Sequence, residues 1–168
     1  MVSLIVHFVI GIALVVWIVR ANPQVFATPA GGPAFAPLEL LYYAIGIASV
    51  ALGYYFNHQF VDQYATADGN PIWGPGSWQQ FIELGYDNPA ASSASQDYTI
   101  VNVLLLPLFT IVDGRRRGIR VPWLYFVASL FTSCAFAYAF YFATVERQRR
   151  HGLDPQPARA TTPVQKNS

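Results

Sequence analysis

Four long apolar stretches constrain this chain more than any other feature. Residues 2–19 (VSLIVHFVIGIALVVWIV), 98–112 (YTIVNVLLLPLFTIV) and 122–145 (PWLYFVASLFTSCAFAYAFYFATV) carry no charge. Residues 38–57 (LELLYYAIGIASVALGYYFN) carry one, Glu39, at the very edge. A helix needs roughly 20 apolar residues to cross the hydrocarbon core of a bilayer. Three stretches meet that length directly. The third meets it when extended upstream to Asn88-Pro89, an N-cap residue followed by a proline at the first helical position. Ser93, with Gln96 three residues on, is the alternative start.

Composition supports the same reading. Charged residues make up 11% of the 168, against about 25% in soluble proteins. Hydrophobic residues make up 54%, more than a soluble domain of this length can cover. The same figures exclude disorder and collagen-like repeats. A single cysteine, Cys134, excludes an internal disulfide framework and a cysteine-based zinc site. A net charge of +1 gives no general attraction to nucleic acid.

The expected fold is therefore all-α: a polytopic four-helix transmembrane bundle with spans at about 2–19, 38–57, 90–112 and 122–145. Residues 1–153 would form one transmembrane domain and 154–168 a disordered tail. No Lys or Arg precedes the first stretch, and it is 18 residues long. Both features favour a retained helix over a signal peptide, although Val25-Phe26-Ala27 resembles a cleavage site.

The connections differ sharply. Residues 21–37 hold four prolines and no charge, which suits a loop held against the membrane surface. Residues 58–97 hold no Lys or Arg but do hold Asp62, Asp68, Glu83, Asp87 and Asp97. Within them, Ser77-Trp78-Gln79-Gln80 predicts a capping box opening a short helix that Gly85 closes. Trp78, Phe81 and Ile82 share one face of that helix. The 113–120 loop has four Arg in eight residues, which predicts a cytoplasmic position. The 58–97 loop is then outside, and four spans put both termini outside. Counted this way, Lys and Arg divide five against five between the two sides, so the short basic loop decides the orientation.

The segment from Asp97 to Arg150 resembles a bacterial integral-membrane family known only as a domain of unknown function. The residues that carry the resemblance are Asp113-Gly114-Arg115-Arg116-Arg117-Gly118-Ile119-Arg120, then Trp123-Leu124-Tyr125, then Glu146-Arg147. The family usually shows a proline near the end of its last helix, where this chain has Ala139. The resemblance implies a small membrane protein and brings no chemistry with it.

Several residue patterns bear on function. Thr99, Asn102, Leu106, Thr110 and Asp113 recur on one face of the third helix, which must look inward. The functional reading is a ligand or ion path; the favoured alternative is interhelical hydrogen bonding. Tyr42, Gly46, Ser49 and Gly53 on the second helix, and the alanine and serine series on the fourth, are packing seams. His7, His58, Asp62, Asp97 and Asn102 are expected at one outer vestibule and are the candidate ligand-binding residues. Their spacings match no metal motif, so neither a metal nor a catalytic set is expected. Arg115, Arg116, Arg117 and Arg120 are candidate anchors to anionic lipid.

No phosphate loop, nucleophile elbow or dinucleotide fingerprint is present, and no cofactor is expected. The leading expectation is a non-catalytic accessory or apolar-ligand, lipid-like binding protein. Its partners would be the lipid bilayer and either another membrane protein or a second copy. The alternatives are a small membrane-embedded enzyme on an apolar substrate and a subunit of an oligomeric transporter. Convergence of His7, His58 and Asp97 favours the enzyme. Their separation, with an apolar pocket between helices, favours the binder.

Overall fold

Tyr125 and Thr144 are joined by a hydrogen bond between side chains, and that bond decides the topology of the last apolar stretch. A continuous helix would hold residues 19 positions apart at about 28 Å. The stretch instead folds back on itself. The computed structural model describes residues 2–29 and 31–153, and the expected disordered tail at 154–168 lies outside them. Among the described residues all regular structure is helical. The helices are α1 (Val2–Ala21), α2 (Pro23–Phe26), α3 (Pro37–Tyr64), α4 (Trp78–Gly85) and α5 (Pro89–Thr99). A π-helical segment (Ile100–Leu105) joins α5 to α6 (Leu106–Arg116), and α7 (Leu124–Ser129) and α8 (Cys134–Arg150) follow.

Three helical stretches are long and apolar enough to cross a membrane: Leu4–Ala21, Pro37–Tyr64 and Pro89–Arg116. Local chemistry sets their ends. Pro37 starts α3 while Glu39 reaches back to the Ala36 amide at 3.1 Å. Asn88 starts α5, its side chain accepting from the amides of Ala90 and Ala91, with Pro89 at the first turn. Ser77 caps α4 as its sequence predicts, accepting from the Gln80 amide; Gln80 takes the Gly76 amide in place of the Ser77 amide. Pro107 explains the π-helical segment. It has no N–H for the ladder and its ring crowds the turn before it. The Leu106 amide reaches Val101 O, five residues back, in place of Asn102 O.

The fourth stretch corrects the four-span expectation and the position it gave the basic C-terminal segment. Its two helices, the short α7 and the longer α8, form a hairpin that enters the bundle and returns to the end it came from. Gln148 Nε2 donates to Arg117 O at 2.6 Å. Asn22 bonds both the amide and the carbonyl of Arg120, at 2.7 and 3.1 Å. Arg147 reaches Val25 O and Ala27 O. The end of α1, the 113–120 loop and the end of α8 therefore share one end of the bundle.

Irregular backbone at membrane depth survives only where protein satisfies it. The hairpin turn, residues 130–133, meets that condition. Phe131 O accepts from Tyr54 Oη at 3.2 Å. Thr132 Oγ1 donates to Ala128 O and Ser129 Oγ to Phe126 O, both at 2.7 Å. Ser133 caps α8 by accepting from the Phe136 amide and pairs with Ser49 Oγ at 2.8 Å. The hairpin is also the core. Leu124, Tyr125, Ala128, Phe140 and Tyr141 are buried in one cluster with Leu14 and Ile18 of α1. The long helices turn leucine, isoleucine and phenylalanine outward, Ile47 and Leu108 among the most exposed. That is the arrangement lipid requires.

The small-residue seam of α3 packs on the hairpin. Gly46 is buried, and a Cβ there would lie 3.1 Å from the Phe136 ring and 3.5 Å from Ala139. Tyr42 meets Phe142 with ring centroids 5.7 Å apart.

Candidate functional site

Beside the hairpin turn, α1 and α3 leave a space between them. That space is a groove between α1 and α3, floored by Phe131, Thr132 and Phe136. Phe8, Ile12, Val15 and Val16 line it from α1, and Ile47, Val50, Ala51 and Tyr54 from α3. Its volume is about 540 Å³. A second cavity of about 280 Å³ lies toward the start of α1, lined by Leu4, Ile5, Phe8, Tyr54 and His58. Phe8 and Tyr54 border both cavities and meet edge to face at 5.8 Å. Gly11 sets the closeness of α1 to the floor: a Cβ there would lie 2.9 Å from Thr132 Cγ2 and 3.1 Å from Phe131 O. From Ile47 to His58 the groove follows α3 for about 17 Å, close to the roughly 15 Å depth of one leaflet's hydrocarbon.

The expected vestibule residues fall into separate groups. His7 accepts from the Trp78 indole through Nε2 at 3.0 Å and stacks on that ring at 5.6 Å. The contact holds α4 against the N-terminal part of α1. His58 Nδ1 pairs with Asp62 Oδ2 at 2.8 Å, one turn further along the same helix. His58 also borders the second cavity. Asp97 is exposed on α5. Asn102 is buried, with Nδ2 donating to Tyr98 Oη at 3.2 Å, again on its own helical stretch. Its Oδ1 has no partner, nor has the buried hydroxyl of Thr110. The inward stripe of the third stretch is therefore placed as its sequence predicts: Asn102, Leu106 and Thr110 are buried. Thr99 instead meets Tyr86 Oη at 2.9 Å on the exposed side. Among the described residues no group of three His, Cys, Asp or Glu side chains is arranged to hold a metal.

The opposite end carries a cluster that sequence reading missed. Glu39 is fully buried, bonded to Arg147 and, at 2.7 Å, to Arg150. Arg147 lies 5.3 and 5.9 Å from the Phe35 and Phe26 ring centroids and also bonds Val25 O and Ala27 O. Arg150 bonds Pro33 O at 2.6 Å. Two arginines and one carboxylate thus tie the proline-rich 21–37 loop over the end of the hairpin. The only sign of this in the sequence was a single acid at the edge of an otherwise uncharged stretch. Four spans would have placed it across the membrane from Arg147. Nearby, Asp113 Oδ2 accepts from Arg117 Nε and from Tyr141 Oη, both at 2.7 Å. Arg20, Arg115, Arg116, Arg120 and Arg149 remain exposed around this end.

Comparison with known proteins adds a family and no chemistry. No curated protein and no solved structure matches the chain. One family model matches residues 41–147, which takes in most of α3, the loop that carries α4, α5, α6 and nearly all of the hairpin, a wider span than the segment from Asp97 to Arg150. Covering more than half of the chain, from the groove wall to the arginine that binds Glu39, that match makes this protein a member of the family described as protein of unknown function DUF2834.

Proposed function

We propose that this chain is a small, non-catalytic membrane protein whose α1–α3 groove holds an acyl chain or a similarly shaped apolar ligand. The groove itself carries the reading. It is lined by aliphatic and aromatic side chains, about one leaflet long, and floored by the hairpin turn. The separation of His7, His58 and Asn102 onto different local partners supports a binder over an enzyme. The burial of Leu106 and Thr110 beneath Asn102 supports packing over a wet path along that stripe.

On this reading the arginine-rich end is cytoplasmic and the 58–97 loop lies outside. Eight arginines support it: Arg20, Arg115, Arg116, Arg117, Arg120, Arg147, Arg149 and Arg150 lie toward one end. The long loop between α3 and α5 has none. Arg115, Arg116 and Arg120 are free to meet anionic lipid there, and Arg117 adds charge to the same surface.

The test is retention of a single-chain lipid by the purified full-length chain, read by native mass spectrometry with monoacylglycerol as the probe. Ala51→Trp puts a bulky ring into the groove and should abolish the adduct. Leu108→Trp, on the lipid-facing side of α6, should leave it unchanged. Equal retention by both variants would place the lipid elsewhere and end the proposal.

A further inference from the structure

The groove's outer mouth carries chemistry that its floor does not. His58 borders the second cavity, and its Nδ1 is held by Asp62 Oδ2 at 2.8 Å. Both side chains are about half exposed, so the pair is open to a headgroup. The surrounding 58–97 segment holds Asp62, Asp68, Glu83, Asp87 and Asp97 and no Lys or Arg. The lining runs from Val16 and Ile47 past Phe8 to Leu4 and Ile5, and His58 is the one Asp, Glu, His, Lys or Arg on it, so the polar end of a chain lying there meets His58. There the nearest ionisable partner is a carboxylate, and the field around it has one sign.

We infer that the groove selects amphiphiles whose head carries an ammonium group, Asp62 being the counter-charge and His58 the residue that orients it. An anionic or purely hydroxylic head would meet the same carboxylate without compensation. The inference rests on the groove holding an apolar chain at all, as proposed above.

The experiment separates the two claims. Full-length protein in mild detergent is offered equimolar lysophosphatidylethanolamine and lysophosphatidylglycerol of one chain length, and the adducts are compared by native mass spectrometry. The two probes share the phosphate and the chain and differ in the ammonium. The ethanolamine form should be favoured about two- to five-fold, the worth of one exposed ion pair. Asp62→Asn should bring the ratio to near one while monoacylglycerol binding stays as in the wild type. Ala51→Trp should lose both adducts. Equal binding by the wild type, a preference for the glycerol form, or a preference that survives Asp62→Asn would each overturn the headgroup assignment and leave the groove standing. Adducts that survive Ala51→Trp would overturn the groove itself.

Discussion

Arg147 donates to Glu39 at the one place among the described residues where an acid and a base are both withdrawn from solvent. Glu39 opens α3 and Arg147 lies near the close of α8, so the bond joins the first turn of one span to the last turns of the hairpin. Removing Glu39 leaves Arg147 buried without a counter-charge, which costs about 3–5 kcal/mol; removing Arg147 leaves the buried Glu39 with Arg150 alone and takes the donor from Val25 O and Ala27 O. Arg147→Ala should therefore lower the unfolding midpoint in detergent more than Arg150→Ala, because Arg150 keeps partial access to water. Glu39→Gln should behave like Arg147→Ala. A chain that tolerates Arg147→Ala as well as Arg149→Ala, an exposed position, would show that the cluster does not hold the 21–37 loop in place.

The hairpin predicts sidedness. In a Cys134→Ala background, single cysteines at Arg116 and Arg149 should react with an impermeant maleimide from the same side, and one at Asp68 from the other. All three positions are exposed. A fourth full span would place the Arg149 cysteine with the Asp68 cysteine, and that pattern would refute the hairpin.

The long spans were legible in the sequence because lipid asks only for length and apolarity. The inward stripe of the third stretch and the caps at Asn88 and Ser77 were legible for equally local reasons. The hairpin was not. Residues 122–145 hold no glycine and only the one proline at the start, so nothing in their hydropathy marks a reversal. The signal lay in Ser129, Thr132 and Ser133, three hydroxyls that look like packing residues but serve the carbonyls and amides of a turn. The even division of Lys and Arg between the two sides was a second signal. It arose because one crossing too many had been counted. The groove was illegible for the same reason, since the hairpin turn forms its floor.

Those hydroxyls give a graded prediction. Ser133→Ala removes the α8 cap and the pair with Ser49 together, and a lost cap alone costs about 0.5–2 kcal/mol. Ser49→Ala removes the pair only and should cost less, nearer the roughly 0.6 kcal/mol average for such contacts in membranes. Tyr54→Phe leaves Phe131 O without its donor and should fall between them. Thermal unfolding of the three variants in one detergent gives the order. Ser49→Ala costing as much as Ser133→Ala would mean that the cap contributes nothing.

Asn102 yields the last prediction, and its direction follows from what it lacks. The amide is buried within the π-helical segment, with Nδ2 given to Tyr98 and Oδ1 given nothing. A buried acceptor without a partner carries a desolvation penalty of about 1–3 kcal/mol. The bond it does make is a single neutral one, worth about 1 kcal/mol. Asn102→Leu removes both, so it should be neutral to stabilising by roughly 1 kcal/mol, and groove binding of monoacylglycerol should not change. Asn102→Asp keeps the shape but buries a charge, and it should destabilise the fold strongly. Thermal unfolding reads the stability of both variants, and native mass spectrometry reads lipid retention for the leucine variant. If Asn102→Leu unfolds the bundle, Oδ1 has a partner, such as a trapped water, that gives this position a larger structural role. If the variant stays folded but loses the lipid, the ligand site extends from the α1–α3 groove to the third span.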